Sequence, residues 1–382
     1  MRILLVSNYQ PPHMGGIEFA ASSLKDCWIR LGYEVIWLTT DIPRHALPST
    51  ADNLRVPATN FFERKWQINS PLINIFYLPM INRALNSCDV VNVHSLAPGL
   101  SSLVLFLALC KGKPVVSTQH VGIIPLANKI LDGLQKKFLC SLAKWGAEKG
   151  MQLTFVGEAV KQWFLDNVHI NPDQITMTPA GIDHNIFFFV ADDERRRLRG
   201  KWHADEKHLN LLFVGRFYEK KGLAFIKQLA ENCPEIRFTL VGQGPVSPAE
   251  WGLANVRLIE YVSNDELREL YGAHDLFIMP SVGEGWPAVI PQAMACGLPC
   301  LISEETFSGY GKDREQFIVC QRDNALLKKT VMNLAADLHK LPRNREEISK
   351  YAREHWNWET TAKIYIGLFE ELMTSCGQLP AR

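Results

Sequence analysis

LNLLFVGRFYEKKGLAFIKQLAENCPEIRFTLVGQG, residues 209–244, is the stretch that decides the fold. LNLLFVGR is a short apolar run reaching a glycine, residues 223–232 repeat apolar side chains at helical spacing, and IRFTLVGQG is a second apolar run ending in glycines. Strand, helix and strand in so few residues make one parallel crossover unit. The rhythm continues with VRLIEYV at 256–262, a helix starting at Asn264 or Asp265, DLFIMPS at 275–281, a helix over Ala288 to Cys296, and PCLIS at 299–303. Upstream it is already present. ILLVS at 3–7 leads through a helical pattern from Ile17 to Leu31, stopped by Gly32, into EVIWLTT; DVVNVHS at 89–95, the apolar segment Leu100 to Cys110, PVVSTQH at 114–120, TFVG at 154–157, a helix containing Val160 to Asn167 and ITMTPAG at 175–181 follow. Such runs predict mostly parallel sheets covered on both faces. At 382 residues the chain is long enough to split into two domains. The charged segment from Asp192 to His208, poor in apolar residues, reads as the passage between them.

Composition removes several classes of function. Lysine plus arginine number 41 against 40 acidic residues, so no strong pull toward nucleic acid is expected. The nine cysteines form no CxxC pair and read as buried thiols. His13, His94, His120 and His184 show no zinc-ligand spacing, and no Walker motif, serine elbow or HExxH is present. The amino terminus reads as a first buried strand rather than a signal peptide, and Leu100 to Cys110 is too short to span a membrane. Lys129 to Lys149 sets apolar residues at helical spacing opposite several lysines. Two readings stand for it: a helix lying on an anionic membrane surface, or a surface helix covering its own sheet.

Candidate site residues stand where strands end and helices begin, the ligand-binding edge of an open parallel sheet. Gly15 and Gly16 follow the first strand; they bring backbone donors close to a ligand, or simply make a tight turn. Arg216 and Lys221 in VGRFYEKKG supply two cations suited to a diphosphate, unless both are merely solvated loop residues. Glu284, in the glycine-flanked loop after FIMPS, is suited to accept hydrogen bonds from sugar hydroxyls, and Gln292 to hold a ribose hydroxyl; a helix cap and a surface glutamine are the alternatives. His120 could meet a phosphate oxygen or a sugar hydroxyl, with His94 nearby, or be a structural histidine. Phe61 to Leu85 mixes aromatic, aliphatic and basic residues, as part of an acceptor channel or as ordinary packing.

The ordered set of Gly15 and Gly16, Thr118 to His120, PAGID at 179–183, VGRFYEKKG at 214–222, LVGQG at 240–244 and EYVSNDELRELYGAHDLFIMPSVGEGWP at 260–287 resembles the retaining glycosyltransferases of family 4. The resemblance covers nearly the whole chain. It implies an α/β protein of the GT-B fold, two Rossmann-like domains facing each other across a cleft: 1–185 on the acceptor side, 186–358 holding a nucleoside-diphosphate sugar, and 359–382 as a terminal helix returning to the first domain. Carried over by motif, Arg216 and Lys221 bind the diphosphate, Glu284 and the backbone around Trp286 orient the donor sugar, and His120 contacts the donor near the sugar or phosphate. Gly15 and Gly16 approach the diphosphate, while the Tyr261 and Val262 region meets the base.

The implied reaction transfers a hexose-type sugar, with a UDP-sugar the favoured donor, to an acceptor hydroxyl that includes lipid-linked ones. It uses no cofactor beyond that co-substrate and no catalytic metal. The implied location is cytoplasmic, with peripheral contact to the inner membrane face through 129–149. Two positions depart from the family: Gln292 stands where glutamate is usual, and EGWP replaces EGFG, so that Pro287 lacks the expected N–H. Three rivals remain. They are a GT-B sugar-nucleotide epimerase, a non-catalytic sugar-nucleotide binder, and an NAD dehydrogenase, the last disfavoured by the missing GxGxxG fingerprint.

Overall fold

Ile3, Leu4, Leu5 and Val6 are fully buried, as are Leu211, Leu212 and Phe213, so both runs are strands covered on both faces. The computed structural model describes residues 1–13, 15–42, 49–61, 70–122, 128–282, 284–336, 345–375 and 377. Its chain divides into two units, Met1–Gly181 with Trp358–Arg382, and Ile182–Asn357.

The first unit is built on β1 (Arg2–Val6), β2 (Glu34–Thr40), β3 (Asn53–Val56), β4 (Ala58–Thr59), β5 (Leu72–Ile73), β6 (Val90–His94), β7 (Val115–Gln119), β8 (Gln152–Phe155) and β9 (Ile175–Met177). Seven of these form one sheet in the order β3-β2-β1-β6-β7-β8-β9, while β4 and β5 make a small antiparallel pair. The second unit contains β10 (Asn210–Val214), β11 (Arg237–Val241), β12 (Val256–Ile259), β13 (Leu276–Met279), β14 (Cys300–Ser303) and β15 (Ile318–Cys320), in the order β12-β11-β10-β13-β14-β15. Every pairing in the two large sheets is parallel. In each sheet the order reverses at the first strand, between β1 and β6 and between β10 and β13, the place where doubly wound sheets receive ligands.

Helices follow the apolar periodicity closely, at Gly16–Arg30, Leu100–Cys110, Leu223–Asn232 and Val289–Ala295. The helix Asn264–Ala273 begins where its capping chemistry dictates: Ser263 Oγ accepts from Glu266 N at 3.2 Å, and Glu266 Oε2 accepts from Ser263 N at 2.8 Å.

The charged segment after Asp192 is not an interdomain passage. The chain leaves the first unit at Gly181, and Asp192–Trp202 is a helix inside the second. Its charges are consumed locally: Arg195 donates to the carbonyls of Gly272 and His274 at the end of a neighbouring helix, and both Arg195 and Arg199 pair with the buried carboxylate of Asp275. Capping another helix is thus what the arginines are for. The thiols differ in part from expectation as well, since Cys110 is exposed and Cys140 half-buried.

The last helix, Trp358–Ser375, belongs to the first unit. Trp28 Nε1 donates to Ala362 O at 3.2 Å, and its ring meets Tyr365 edge-on at 5.7 Å and Phe369 at 5.5 Å. Trp28, Tyr365 and Phe369 are at most 1% exposed, so this helix is tied in by large aromatic burial, about 1.5–3 kcal/mol per fully buried large side chain.

Candidate functional site

Two loops meet at the ends of the central strands of the second unit, one after β10 and one after β13. After β10, residues 215–222 turn through Glu219–Lys221 into the helix Leu223–Asn232. Gly222 adopts φ +76°, and a Cβ there would lie 2.2 Å from Pro280 O, so only glycine lets this turn press against the loop after β13. Val282 N donates to Lys220 O at 2.9 Å and ties the same two loops together.

That contact puts Lys221 beside Glu284. Lys221 Nζ lies 3.0 Å from Glu284 Oε2, each side chain only 12% exposed, and Lys220 Nζ lies 3.7 Å from Oε1. Burial draws the Lys221 ammonium below its ordinary range; Glu284 opposes this, while Lys220 and Arg216 reinforce it as like charges. Glu284 Oε1 is buried without a hydrogen-bond partner among the described residues. Arg216 is exposed, with its guanidinium 5.2 Å from the centre of the Tyr218 ring. The cluster is therefore cationic at its rim and holds inside it one carboxylate oxygen that accepts no hydrogen bond among the described residues.

The other expected positions lie around it unequally. Trp286 packs with Tyr310 and Trp356 at ring distances of 6.2 and 6.4 Å, and Tyr310 Oη donates to Pro287 O at 3.0 Å. Gln292 Oε1 accepts from the buried Tyr271 hydroxyl at 3.4 Å. Tyr261 is exposed and Val262 half-buried; no described contact joins either to the ion pair. Gly283 lies outside the described residues.

In the first unit, Gly15 caps the helix Gly16–Arg30, and a Cβ on it would fall 2.1 Å from Glu18 Oε2. Beside Gly16 the space is open. Glu18 is buried under this turn with His13 Nδ1 3.3 Å from its carboxylate.

His120 and His94 come together: His94 Nδ1 and His120 Nε2 are 2.9 Å apart, with the rings stacked at 5.0 Å. Burial keeps the His94 ring far below its ordinary range, reinforced by His120, and pushes His120 down to about 4. His94 Nε2 in turn meets Asn92 Oδ1 at 2.9 Å. Behind Asn92 lies a row of hydroxyls: Tyr365 Oη sits 2.9, 3.1 and 3.0 Å from the Oγ1 atoms of Thr118, Thr154 and Thr178. Neither Asn92 nor Tyr365 had been singled out from the sequence. For Asn92 the available signal was a polar residue inside a strand otherwise buried on both faces; Tyr365 lies on the helix Trp358–Ser375, outside that signal.

Among the described residues no group of three or more His, Cys, Asp or Glu side chains could hold a metal ion, and no helix is long and apolar enough to cross a membrane. Of Phe61 to Leu85, residues 62–69 lie outside the described residues; Ile75 and Phe76 are exposed.

Residues 14–186 match the family described as Glycosyltransferase Family 4, and residues 208–337 the one described as Glycosyl transferases group 1. The glycosyltransferase-named EpsF of Bacillus subtilis (strain 168) is 33% identical over 159 residues, 39% of this chain, and the match spans only 41% of that relative. Alpha-monoglucosyldiacylglycerol synthase of Acholeplasma laidlawii is 22% identical over 97% of this chain and 98% of its own length. The crystal structure of Anabaena HepE in complex with UDP superimposes with a TM-score of 0.73 at 14% identity, covering 97% of this chain and 100% of that one. With two matched families, two Rossmann-like parallel sheets and this structural likeness, the chain belongs to the family 4 glycosyltransferases of the GT-B fold and is an enzyme that acts on sugar donors.

Proposed function

We propose that this chain transfers a hexose-type sugar from a nucleoside-diphosphate sugar, with UDP the favoured nucleotide, to an acceptor hydroxyl with retention of configuration. One observation carries the reading: the Lys221–Glu284 pair, with Lys220 and Arg216 around it, leaves Glu284 Oε1 buried and unsatisfied at the strand ends of the second unit. Lys220 Nζ, 3.7 Å away, pairs with this oxygen in charge but does not hydrogen-bond it; a buried carboxylate oxygen is costly to leave without a hydrogen bond, and a sugar hydroxyl is the donor that supplies it. The cations then face the diphosphate, neutralising it in the bound state and stabilising charge as it departs.

In the proposed step the bond from the anomeric carbon to the diphosphate oxygen breaks. The acceptor oxygen bonds to that carbon on the same face, and its proton passes to the departing phosphate oxygen. Arg216 forms directional bonds and Lys221 supplies charge. No protein-bound metal is assigned to this step. Gly15 and Gly16 would offer backbone donors to the diphosphate, Tyr261 and Val262 a surface for the base, the backbone around Trp286 contacts to the sugar, Gln292 a bond to ribose, and His120 a contact at the transferring sugar. UDP as donor nucleotide is supported by the UDP held by Anabaena HepE.

A lipid-linked acceptor at the inner membrane face, with the protein itself cytoplasmic, is the acceptor reading we favour. Its support is the helix Lys129–Glu148, where Ile130, Leu134 and Phe138 are 75%, 59% and 41% exposed on one face while Leu139, Ala143 and Ala147 are buried. The diacylglycerol in the name of the Acholeplasma relative agrees with it.

The test begins with native mass spectrometry of the purified chain against UDP-, GDP- and ADP-sugars. Retention of a UDP-sugar supports the reading, and retention of none by folded protein removes it. Product analysis then separates transfer from isomerisation of the donor. Co-sedimentation with anionic vesicles, lost in a variant carrying Ile130→Ser and Leu134→Ser, tests the membrane contact.

A further inference from the structure

The hydrogen-bond order behind His120 can be read from the atoms that have no choice. Asn92 is fully buried, and its Nδ2 lies 3.3 Å from Val116 O and 3.2 Å from Thr118 Oγ1. A carbonyl oxygen only accepts, so the amide nitrogen of Asn92 must face it and Oδ1 must face His94. The 2.9 Å contact from Oδ1 to His94 Nε2 then requires the hydrogen on that nitrogen. A neutral His94 has no hydrogen left for Nδ1, which becomes the acceptor in its 2.9 Å contact with His120 Nε2. His120 therefore carries its hydrogen on Nε2 and leaves Nδ1 bare, with no partner among the described residues.

We infer that Asn92 and His94 are positioning residues that hold His120 in the Nε2–H tautomer, so that its bare Nδ1 accepts a hydrogen bond from a hydroxyl of the sugar substrates rather than donating one to phosphate. The inference rests on the reading of His120 as a residue of the transfer site. Tyr365, from the helix Trp358–Ser375, supports the arrangement from behind. Its hydroxyl joins Thr118, Thr154 and Thr178, and Thr118 is the second acceptor that orients the Asn92 amide. Burial keeps both rings neutral at physiological pH, as the tautomer argument needs. A ring fixed in this state is selective, because an acceptor atom rewards a hydroxyl hydrogen and repels a phosphate oxygen.

The experiment is a long-range ¹H–¹⁵N correlation spectrum of the full chain, labelled at histidine and assigned with His94→Phe and His120→Gln, recorded at pH 7 without ligand. The expected result is a neutral His120 with its hydrogen on Nε2, and loss of that single tautomer in His94→Phe. A wild-type His120 that is protonated, or that carries its hydrogen on Nδ1, overturns the proposal, and this needs no variant to fold. So does a His94→Phe spectrum in which His120 is unchanged.

For activity, His94→Phe and Asn92→Leu are expected to lower kcat about tenfold, the loss of one hydrogen bond, with donor KM moving much less. His94→Gln, which keeps an acceptor for His120, should restore part of it. An altered tautomer with unaltered transfer overturns the positioning role. Donor hydrolysis without acceptor falls alongside transfer when the hydroxyl belongs to the donor sugar, and stays level when it belongs to the acceptor. Because the spectrum is read without substrate, an inactive wild-type chain with the expected tautomer would count against the transfer reading and not against the assignment.

Discussion

His120 in the first unit and Lys221 in the second follow strands of two sheets with the same order reversal, yet their surroundings are opposites. Around His120 the bonds are neutral and largely buried, and each of Asn92, His94, Thr118 and Tyr365 finds a partner. Around Lys221 the groups are charged, the rim is exposed, and one oxygen of Glu284 accepts no hydrogen bond among the described residues. A satisfied neutral network holds one ring in one state; a charged cluster with an unsatisfied acceptor has the chemistry to take a ligand that carries charge and hydroxyls. The shared sheet topology decides where loops gather, and only the side chains decide what those loops bind.

Breaking the charged cluster should have the largest effect. Lys221→Ala removes the 3.0 Å partner of Glu284 and is expected to lower transfer by at least about 100-fold. Circular dichroism should show the variant folded; near-normal turnover would take Lys221 out of the site.

Acid comes next in size of effect, because it acts on the neutral rings. Burial pushes His120 in the first unit and His274 in the second down to about 4, and His274 is fully enclosed between Leu270 O and Thr239 Oγ1. Unfolded histidine titrates near pH 6.5, so below that pH the unfolded chain binds more protons. The stability present above pH 6.5 is therefore lost as pH falls toward 4, by up to about 1.4 kcal/mol per pH unit for each ring. Urea midpoints at pH 7 and pH 5 measure this, and equal midpoints would refute it.

Tyr365→Phe should follow, at about 1–3 kcal/mol, since it takes one shared partner from three buried threonine hydroxyls. Hydrogen exchange should quicken along β7 and β8 while donor retention is unchanged. Loss of donor binding instead would show that the Tyr365 hydroxyl network also governs how the donor is held.

Gln292→Glu is the mildest change. The carboxylate keeps an acceptor for Tyr271 Oη, so stability should stay within about 0.5 kcal/mol. Donor retention should shift by less than about tenfold. A larger gain would identify Gln292 as the position that limits donor affinity.

Much of the architecture was legible because its causes are local. Strand runs such as ILLVS and LNLLFVG, the Ser263–Glu266 capping pair and the apolar period of Leu223–Asn232 each lie within a few consecutive residues. Local reading failed at the segment after Asp192, where charge suggested a linker; its arginines find their carbonyl and carboxylate partners more than 70 residues away. The motifs brought Arg216, Lys221, Glu284 and His120 to attention, but not that Lys221 and Glu284 pair with each other, nor which nitrogen of His120 is bare. Sequence alone determined the alternation of strands and helices and the loops at their ends, since periodicity and turn chemistry belong to neighbouring residues. Only the tertiary structure decided the network behind His120, because Tyr365 reaches Thr118 across 247 residues and a bond of that span leaves no period in the chain.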